Sequence, residues 1–222
     1  MCGRFTNRYS WRELKELYDI TTPYLTSNFP PRYNIAPTQL SFVVRETNGK
    51  RALADLRWGL LPPWSKSPSD GARMINARSE TVAKSPAYRA AFKSRPCLVV
   101  TDGFYEWKKE AAGKQPYFIT TKDAAPFAFA GLWEPKRLTP EDTFTILTCP
   151  PNELCATVHD RMPVMLAPAD WSRWLSTPEE RVKLLKPFPS ARMEMWPVGK
   201  AVGSPKNTGP ELVQPISKPK QQ

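Results

Sequence analysis

The residue types with the most distinctive chemistry stand at the start of the chain, in Met1-Cys2-Gly3-Arg4. Cysteine is small enough to permit removal of the initiator, and Cys2 would then carry both a free α-amine and a thiol. The unperturbed pKa values of these groups are about 7.7–8.0 and about 8.5, so each is partly nucleophilic near neutral pH. An amine and a thiol on adjacent carbons can capture an aldehyde twice, first as a Schiff base and then as a thiazolidine ring. The alternative is that Cys2 is incidental to a mobile terminus.

Two titratable side chains further along the chain could move the protons that such a capture requires. Glu106 lies between two aromatic residues, and an apolar setting raises the pKa of a carboxylate toward neutral. His159 is the only histidine of the sequence, which excludes a metal site built from several histidines. Each has a plainer alternative, since Glu106 could face solvent and pair with a neighbouring lysine, and His159 could be structural.

Residues 76–80 carry polar side chains at every second position. Asn76, Arg78 and Glu80 are spaced by two, so they would share one face of an extended segment. On that face Arg78 could clamp a phosphate, Asn76 could orient a substrate oxygen and Glu80 could pair with Arg78. Arg161 stands two residues after His159 and would share its face in the same way. An exposed strand with an ordinary salt bridge is the alternative.

Two proline-rich segments carry further candidates. Asn34 follows Pro30-Pro31 in a stretch that is expected to be rigid and extended. On the local sequence alone, the preferred interpretation of Asn34 is a turn residue that bonds its own backbone. Trp64 follows two prolines, so a stiff segment would present an aromatic ring as a wedge or as a stacking platform for a base. The alternative is that Trp64 covers the core.

Composition bounds the class of protein. The 222 residues are 41% hydrophobic, which suits one large domain with a sizeable core, and the net charge of +11 favours an anionic partner such as nucleic acid. The four cysteines lack the spacing of a metal site, and no cofactor motif occurs, so neither a metal nor a cofactor is expected. With no signal peptide and no long apolar span, the protein is expected in the cytoplasm, with reduced thiols.

Many short strands at close intervals indicate a closed or strongly curved sheet. The clearest local signals are a capping box that starts at Ser10 and a hairpin turn at Thr47-Asn48-Gly49. Strands are expected at residues 40–46, 53–58, 97–109, 116–121, 127–133, 143–148 and 193–197, and helices at 11–19, 79–84, 86–94, 168–175 and 178–185.

Seven short motifs, taken together, closely resemble the SRAP family, the SOS response-associated peptidases that are also known as abasic-site processing proteins. They occur in order from residue 2 to about 216, nearly the whole chain, and their combination is hard to reach by chance. The motifs are Met1-Cys2-Gly3-Arg4-Phe5, Arg32-Tyr33-Asn34-Ile35-Ala36-Pro37, Trp58-Gly59, Ile75-Asn76-Ala77-Arg78-Ser79-Glu80, Gly103-Phe104-Tyr105-Glu106-Trp107, His159-Asp160-Arg161-Met162-Pro163 and Ala201-Val202-Gly203.

The resemblance implies an α+β fold in which a curved, barrel-like and mostly antiparallel β core is flanked by short helices. It implies one domain over residues 1–216, and the basic residues 217–222 are expected to form a disordered tail. The implied partner is single-stranded DNA that contains abasic sites, including sites at junctions with duplex. The chain is expected to be a monomer that does not bind membranes and that associates with the nucleoid when it is on DNA.

The resemblance also implies that Cys2, once Met1 is lost, bonds to the ring-opened aldehyde of an abasic site and shields the lesion from strand breakage. Asn76 would contact the reacting sugar, Glu106 would be the acid and base of imine formation, and His159 would move protons during ring opening and thiazolidine closure. The residues expected to contact DNA are Arg4, Arg78 and Arg161 at phosphates, Asn34 and Trp107 near the reacting site, and Trp64 as a wedge against duplex.

Other activities follow from the same residues. The family name implies a peptidase activity, either self-removal of Met1 or release of the crosslinked product, and a Schiff base at an abasic site can also promote weak β-elimination. One rival is an N-terminal-nucleophile amidase or thiol peptidase, in which the Cys2 thiol attacks an amide, although the downstream motifs do not fit it. The other rival is a DNA- or RNA-binding module without catalysis.

Overall fold

The computed structural model describes residues 2–22 and 29–216, which form two β-sheets and several short helices. The strands are β1 (Phe5–Asn7), β2 (Arg32–Ile35), β3 (Leu40–Thr47), β4 (Lys50–Trp58), β5 (Asn76–Arg78), β6 (Pro96–Thr101), β7 (Gly103–Glu110), β8 (Gly113–Thr121), β9 (Phe127–Glu134), β10 (Thr143–Cys149), β11 (Met162–Pro163), β12 (Met165–Leu166) and β13 (Met193–Pro197). The α-helices are α1 (Trp11–Leu17), α2 (Arg89–Ser94), α3 (Glu153–Ala156), α4 (Pro168–Leu175) and α5 (Pro178–Leu184).

The larger sheet closes on itself. Strands β10, β4, β3, β6 and β9 pair in that order, and β9 pairs again with β10, so these strands form a ring. The pairings of the ring are antiparallel except for the short parallel contact of β4 with β10. The ring strands carry fully buried side chains such as Val43, Val99 and Phe129. The prediction of a curved, barrel-like, mostly antiparallel core with short flanking helices is therefore confirmed.

The second sheet holds the N-terminal segment. Its strand order is β13-β8-β7-β1-β2, and β1 pairs antiparallel with β7 so that Phe5 lies opposite Phe104. The fully buried Phe5 ring lies edge-on to Trp58, at 5.0 Å, and to Phe129, at 5.9 Å. Burial of one such ring contributes about 1.5–3 kcal/mol, so Phe5 anchors the start of the chain in the core.

The strong local signals are confirmed. Ser10 caps α1 and the Glu13 carboxylate accepts the Ser10 N–H at 2.7 Å, which completes the capping box. Strands β3 and β4 join through Asn48 and Gly49, whose φ angles of +52° and +71° lie in the left-handed region that a two-residue hairpin turn requires. Strands and helices also lie at or close to the remaining predicted positions, at 116–121, 127–133, 143–148, 193–197, 168–175 and 178–185.

Helix prediction is wrong over residues 79–84, which form turns, and too long over 86–94, where the helix begins only at Arg89. The cause is local, because a residue that precedes proline is disfavoured in helical backbone and Ser85 precedes Pro86.

The strand predicted over residues 97–109 is two strands. At Asp102 the chain leaves the ring and enters the second sheet, so β6 pairs with β9 whereas β7 pairs with β8. A Cβ atom at Gly103 would lie 2.1 Å from the Phe118 ring, so this crossing requires glycine. The proline-rich stretch ends in a strand, β2, where a loop was expected. None of the described helices is long and apolar enough to cross a membrane, and the predicted tail 217–222 lies outside the described residues.

Candidate active site

Cys2 lies beside strand β7, at the start of the N-terminal segment. The Arg4 carbonyl accepts the Tyr105 N–H at 3.0 Å, which continues the pairing of β1 with β7. In this antiparallel register the residues that precede Arg4 run past Glu106. Asn76 on β5 donates from Nδ2 to the Cys2 carbonyl at 2.8 Å. The Cys2 side chain is fully buried, so the terminus is held between two strands and is not frayed at this residue.

Glu106 is the buried carboxyl group of the site, with 3% of its surface exposed. Burial raises its pKa, and the nearby charge of His159 opposes that shift. Burial and, to a smaller extent, the Glu106 charge raise the pKa of the Cys2 thiol, so the two groups lie close together. The interpretation of Glu106 as a solvent-facing partner of a lysine is wrong. A carboxyl group with a raised pKa can carry a proton nearer to neutral pH.

His159 lies on the turn that follows α3, where its N–H donates to the Cys155 carbonyl at 2.9 Å. Its Nδ1 accepts the Arg161 N–H at 3.0 Å and lies 2.9 Å from Asp160 Oδ1. When Nδ1 accepts this hydrogen bond, the proton of the neutral ring is on Nε2. If Nδ1 carried a proton instead, it would lose the bond from the Arg161 N–H and could donate to the Asp160 carboxylate. The chain bends at Asp160, so the extended face that His159 and Arg161 were expected to share is wrong.

Asn76 is fixed by its strand and by a tyrosine. Strand β5 pairs in parallel with β10, with Asn76 opposite Ile146, and the Asn76 carbonyl accepts the Tyr88 hydroxyl at 3.2 Å. While Nδ2 holds Cys2, the Oδ1 atom is buried and has no hydrogen-bond partner among the described residues. A substrate hydroxyl placed beside Cys2 could satisfy this acceptor.

Arg161 forms a bidentate ion pair with Glu80, with Nη1 and Nη2 both donating to the carboxylate. Nη2 also donates to the Thr148 carbonyl at 2.6 Å. This hydrogen-bonded pair lowers the pKa of Glu80 from 4.5 to about 2. The expected pairing of Glu80 with Arg78 is therefore wrong. Arg78 is exposed, and no described carboxylate pairs with it, so its guanidinium can meet an external phosphate.

Arg4 and Asn34 bind the loop of residues 202–207, and we refer to these contacts as the Arg4 latch. Arg4 Nη1 donates to Asn34 Oδ1 at 2.9 Å and to the Val202 carbonyl at 2.7 Å. Asn34 Nδ2 donates to the carbonyls of Ser204 and Asn207, both at 2.9 Å. Asn34 is 4% exposed and lies in strand β2, so its interpretation as a turn residue is wrong.

Trp64 is 56% exposed, so its interpretation as a cover for the core is wrong. The loop that carries it is closed at its base, where a Cβ atom at Gly59 would lie 2.6 Å from the Gly71 carbonyl oxygen. Cationic Lys66 and Arg73 help to line a cavity of about 420 Å³ at this loop. Trp107 is half-buried and packs against the apolar cluster beside β7 and β8.

Contacts link these parts into one region. Cys2, Asn76, Glu106 and His159 come together. Met74 lines the same cavity as Trp64, and the Tyr88 hydroxyl contacts both Met74 Sδ, at 3.1 Å, and the Asn76 carbonyl, which connects the Trp64 loop to this group.

Sequence reasoning missed two residues of this region. Cys155 was expected in the core and is buried, but burial and then the Glu106 charge raise the pKa of its thiol to about 12, so it lies near the site. Its position four residues before His159 in a short helical turn is a signal that could have shown this. Tyr88 carries no such signal, since its contact with Asn76 depends on the fold.

Known proteins resemble the chain along its length. The family model for SOS response associated peptidase (SRAP) matches residues 1–205. The abasic site processing protein YoqW of Bacillus subtilis is 40% identical over 223 residues, which cover 96% of this chain and 99% of that protein. The abasic site processing protein YedK of Escherichia coli is 31% identical over 227 residues, covering 97% and 100%. A crystal structure of a Bacteroides thetaiotaomicron protein has a TM-score of 0.84 at 25% identity, covering 97% of this chain and all of that one.

Proposed function

The chain belongs to the SOS response-associated peptidase family, and on that premise we propose that it captures the aldehyde of an abasic site in single-stranded DNA through Cys2. Relatives that match nearly the whole chain are named abasic site processing proteins, so DNA with abasic sites is the expected ligand. The observation that carries the proposal is that Asn76 Nδ2 holds the Cys2 carbonyl at 2.8 Å, which places the buried Cys2 thiol near the buried Glu106 carboxyl group.

The capture forms two bonds to one carbon. The α-amine of Cys2, freed by loss of Met1, adds to the C1′ aldehyde, and loss of one water gives the Schiff base. The sulfur then bonds to the same carbon while the thiol proton passes to the imine nitrogen, which closes the thiazolidine ring. Because burial and Glu106 raise the pKa of the thiol, the sulfur is protonated near neutral pH and the amine acts first.

Each neighbouring group has a defined task in this sequence. Glu106 donates the proton with which the hydroxyl of the amine adduct leaves as water and recovers one from the adduct nitrogen. As the ring closes, Glu106 passes the thiol proton on to the imine nitrogen. His159, with 28% of its side chain exposed, exchanges a proton with the closed sugar as it opens. Asn76 keeps Cys2 in place through Nδ2, and its buried Oδ1 accepts the sugar hydroxyl that ring opening releases.

The DNA backbone supplies most of the binding energy in this proposal. The net charge is +11, and Arg78, two residues beyond Asn76, is exposed and pairs with no carboxylate of the described residues. Phosphate contacts carry no base information, so affinity should fall steeply with salt and depend little on base sequence. The exposed ring of Trp64 would stack on a base or stop a duplex at the edge of the site.

The direct test is incubation with abasic single-stranded DNA, followed by denaturing electrophoresis. Wild type should give a stable crosslink, Cys2→Ala should give none, and Cys2→Ser should give only a Schiff base that needs borohydride to persist. Any residue left in front of Cys2 should abolish the stable product, and mass spectrometry of the intact protein reports that terminus. Retention of a stable crosslink in Cys2→Ala would refute the proposal.

Two lesser activities belong to the same proposal. An imine that does not close can lose a phosphate by β-elimination, so Cys2→Ser should nick abasic DNA more than wild type does. Self-removal of Met1 would be the peptidase activity that the family name indicates, and purified protein should show its rate by mass spectrometry.

The amidase rival makes a different demand on Cys2. A thiol that attacks an amide is usually activated by a lowered pKa or an adjacent base, whereas burial raises the pKa of this thiol. Ammonia release from glutamine that is lost in Cys2→Ala would favour the amidase. DNA binding without crosslink or ammonia release would favour a binding module.

A further inference from the structure

The β7–β8 hairpin extends past the start of the chain. The register that places Phe5 opposite Phe104 brings Cys2 level with Trp107. Beyond Trp107, β7 has no partner from β1 and pairs with β8 alone, up to the turn after Glu110. A two-stranded ribbon therefore projects beyond the reacting terminus, and its tip, residues 109–114, is exposed to a strand of DNA that reaches Cys2.

This ribbon carries Lys108, Lys109 and Lys114, of which Lys109 and Lys114 share one face, whereas the half-buried Lys108 lies on the other because successive side chains of a strand alternate. Lys109 and Lys114 are directly opposite each other across the two strands, and both are exposed. Like charges in opposite positions destabilise a hairpin. Within the described residues no carboxylate forms an ion pair with any of the three. The fold gains no stability from this arrangement, whereas a phosphate between the lysines would remove the repulsion.

We propose that Lys109 and Lys114 form a second phosphate site, which holds the DNA backbone on one side of the abasic nucleotide; this inference rests on the proposed function. Lys109 lies three positions beyond Glu106, about 10 Å along the strand. A stacked strand has a phosphate about every 3.4 Å, so the site lies about three nucleotides from the lesion. Because the ribbon projects on one side of Cys2, only one flank of the DNA reaches it.

The rival explanation is that the lysines protect an exposed edge strand from aggregation, which is a common use of lysine. That role requires charge but no ligand, and it is indifferent to the length of the DNA. The two explanations therefore differ in how DNA affinity depends on flank length.

The test measures fluorescence anisotropy with oligonucleotides that carry a tetrahydrofuran abasic analogue, which has no aldehyde and cannot crosslink. One oligonucleotide has a long flank only on the 5′ side, another only on the 3′ side, and a third has flanks of about one nucleotide, too short to reach the ribbon. The variant is Lys109→Gln with Lys114→Gln, which keeps chain length and removes two charges.

A matched control removes the same charge elsewhere, in Lys15→Gln with Lys50→Gln. Both residues are exposed, and Lys50 is eight residues ahead of Trp58 on β4, about 26 Å from the end of that strand near the site.

The hairpin variant should bind one of the two long-flank oligonucleotides about tenfold more weakly at low salt, with a salt slope that falls by about 1.4, and should bind the others as wild type does. The control should change none of them. Equal losses in variant and control, losses with both polarities, or no loss would each overturn the proposal. Crosslinking of wild type to an aldehyde substrate with short flanks tests the proposed function separately, because that substrate does not reach the ribbon.

Discussion

Replacement of Asn34 by alanine should slow the covalent step and lower stability, because Asn34 acts through the Arg4 latch. Its Oδ1 accepts from Arg4, and its Nδ2 donates to the carbonyls of Ser204 and Asn207. Both amide hydrogens are thus used inside the protein, so the side chain has no donor left for a phosphate. Arg4 is two residues from Cys2, and freedom gained by Arg4 reaches the reacting amine and thiol.

The structure sets the size of the effect. A neutral hydrogen bond contributes about 0.5–1.5 kcal/mol net, and one to a charged group about 1.5–3 kcal/mol. The two Nδ2 hydrogens also share a longer contact, of 3.3 Å, with the Val202 carbonyl, so they count as two bonds of the first kind. Asn34→Ala removes these two and one bond of the second kind, for about 2.5–6 kcal/mol. The carbonyls of residues 203–207 belong to exposed residues and can bond to water instead, so the lower end is expected. For a chain of this size that is a fall in Tm of about 5–10 °C.

The assay is single-turnover crosslinking at saturating DNA, together with thermal unfolding. Asn207→Ala is the matched control, since its side chain donates to the Ala201 carbonyl at 2.7 Å without contact to Arg4. It should lower Tm while it leaves the saturated rate close to that of wild type. If Asn34→Ala instead keeps both Tm and the saturated rate but weakens DNA binding, Asn34 is a direct DNA contact and the argument fails.

Three further substitutions test other parts of the site. Glu106→Gln should slow crosslinking by about 10²–10⁴-fold. Because burial raises the pKa of Glu106, the folded protein keeps a proton that the unfolded chain releases. The free energy of unfolding therefore falls as pH rises above the ordinary glutamate pKa, and its pH profile should be flatter in the Glu106→Gln variant. Glu80→Gln should tighten DNA binding and steepen the salt slope of binding by up to about 0.7, since Arg161 becomes free to contact a phosphate. The free energy of unfolding should change by less than about 1 kcal/mol, because the Arg161–Glu80 pair is partly exposed. Weaker DNA binding in fluorescence anisotropy would contradict this. Gly59→Ala should cost about 1–3 kcal/mol in a denaturant titration, since its φ is +129° and its Cβ would meet Gly71, and it should impair binding at duplex junctions more than binding to single strands.

Elements with a strong local signal were predictable from sequence. The capping box at Ser10 and the turn at Asn48-Gly49 are specified by residues within a few positions, and the structure confirms both. The break at Asp102 was not predictable, because the apolar alternation of residues 97–109 continues through it. What ends one strand there is the change of partner from β9 to β8, which depends on the topology of the two sheets.

In the candidate site, too, local sequence predicts some features whereas others depend on the topology of the sheets. Motifs located the four proposed catalytic residues, but spacing predicted the wrong partner for Glu80. A separation of two residues favoured Arg78, whereas the observed partner Arg161 is 81 positions further along. That contact exists because β10 pairs with β5 on one side and with β11 on the other, which places the residues after β5 beside those before β11. Asn34 reaches the loop of residues 202–207 for a similar reason.

The protonation of the Cys2 thiol constrains the order of the proposed chemistry. A buried thiol of raised pKa is a poor first nucleophile, because the thiolate is the reactive form. An α-amine with a pKa of about 8 is partly neutral at physiological pH and needs no activation. Once the imine exists, the sulfur is three bonds from the imine nitrogen and within reach of the imine carbon, so that intramolecular reaction compensates for a small thiolate fraction. The same burial that would disable a thiol peptidase therefore suits a residue whose amine acts first, and it makes the free N-terminus the requirement on which the crosslink depends.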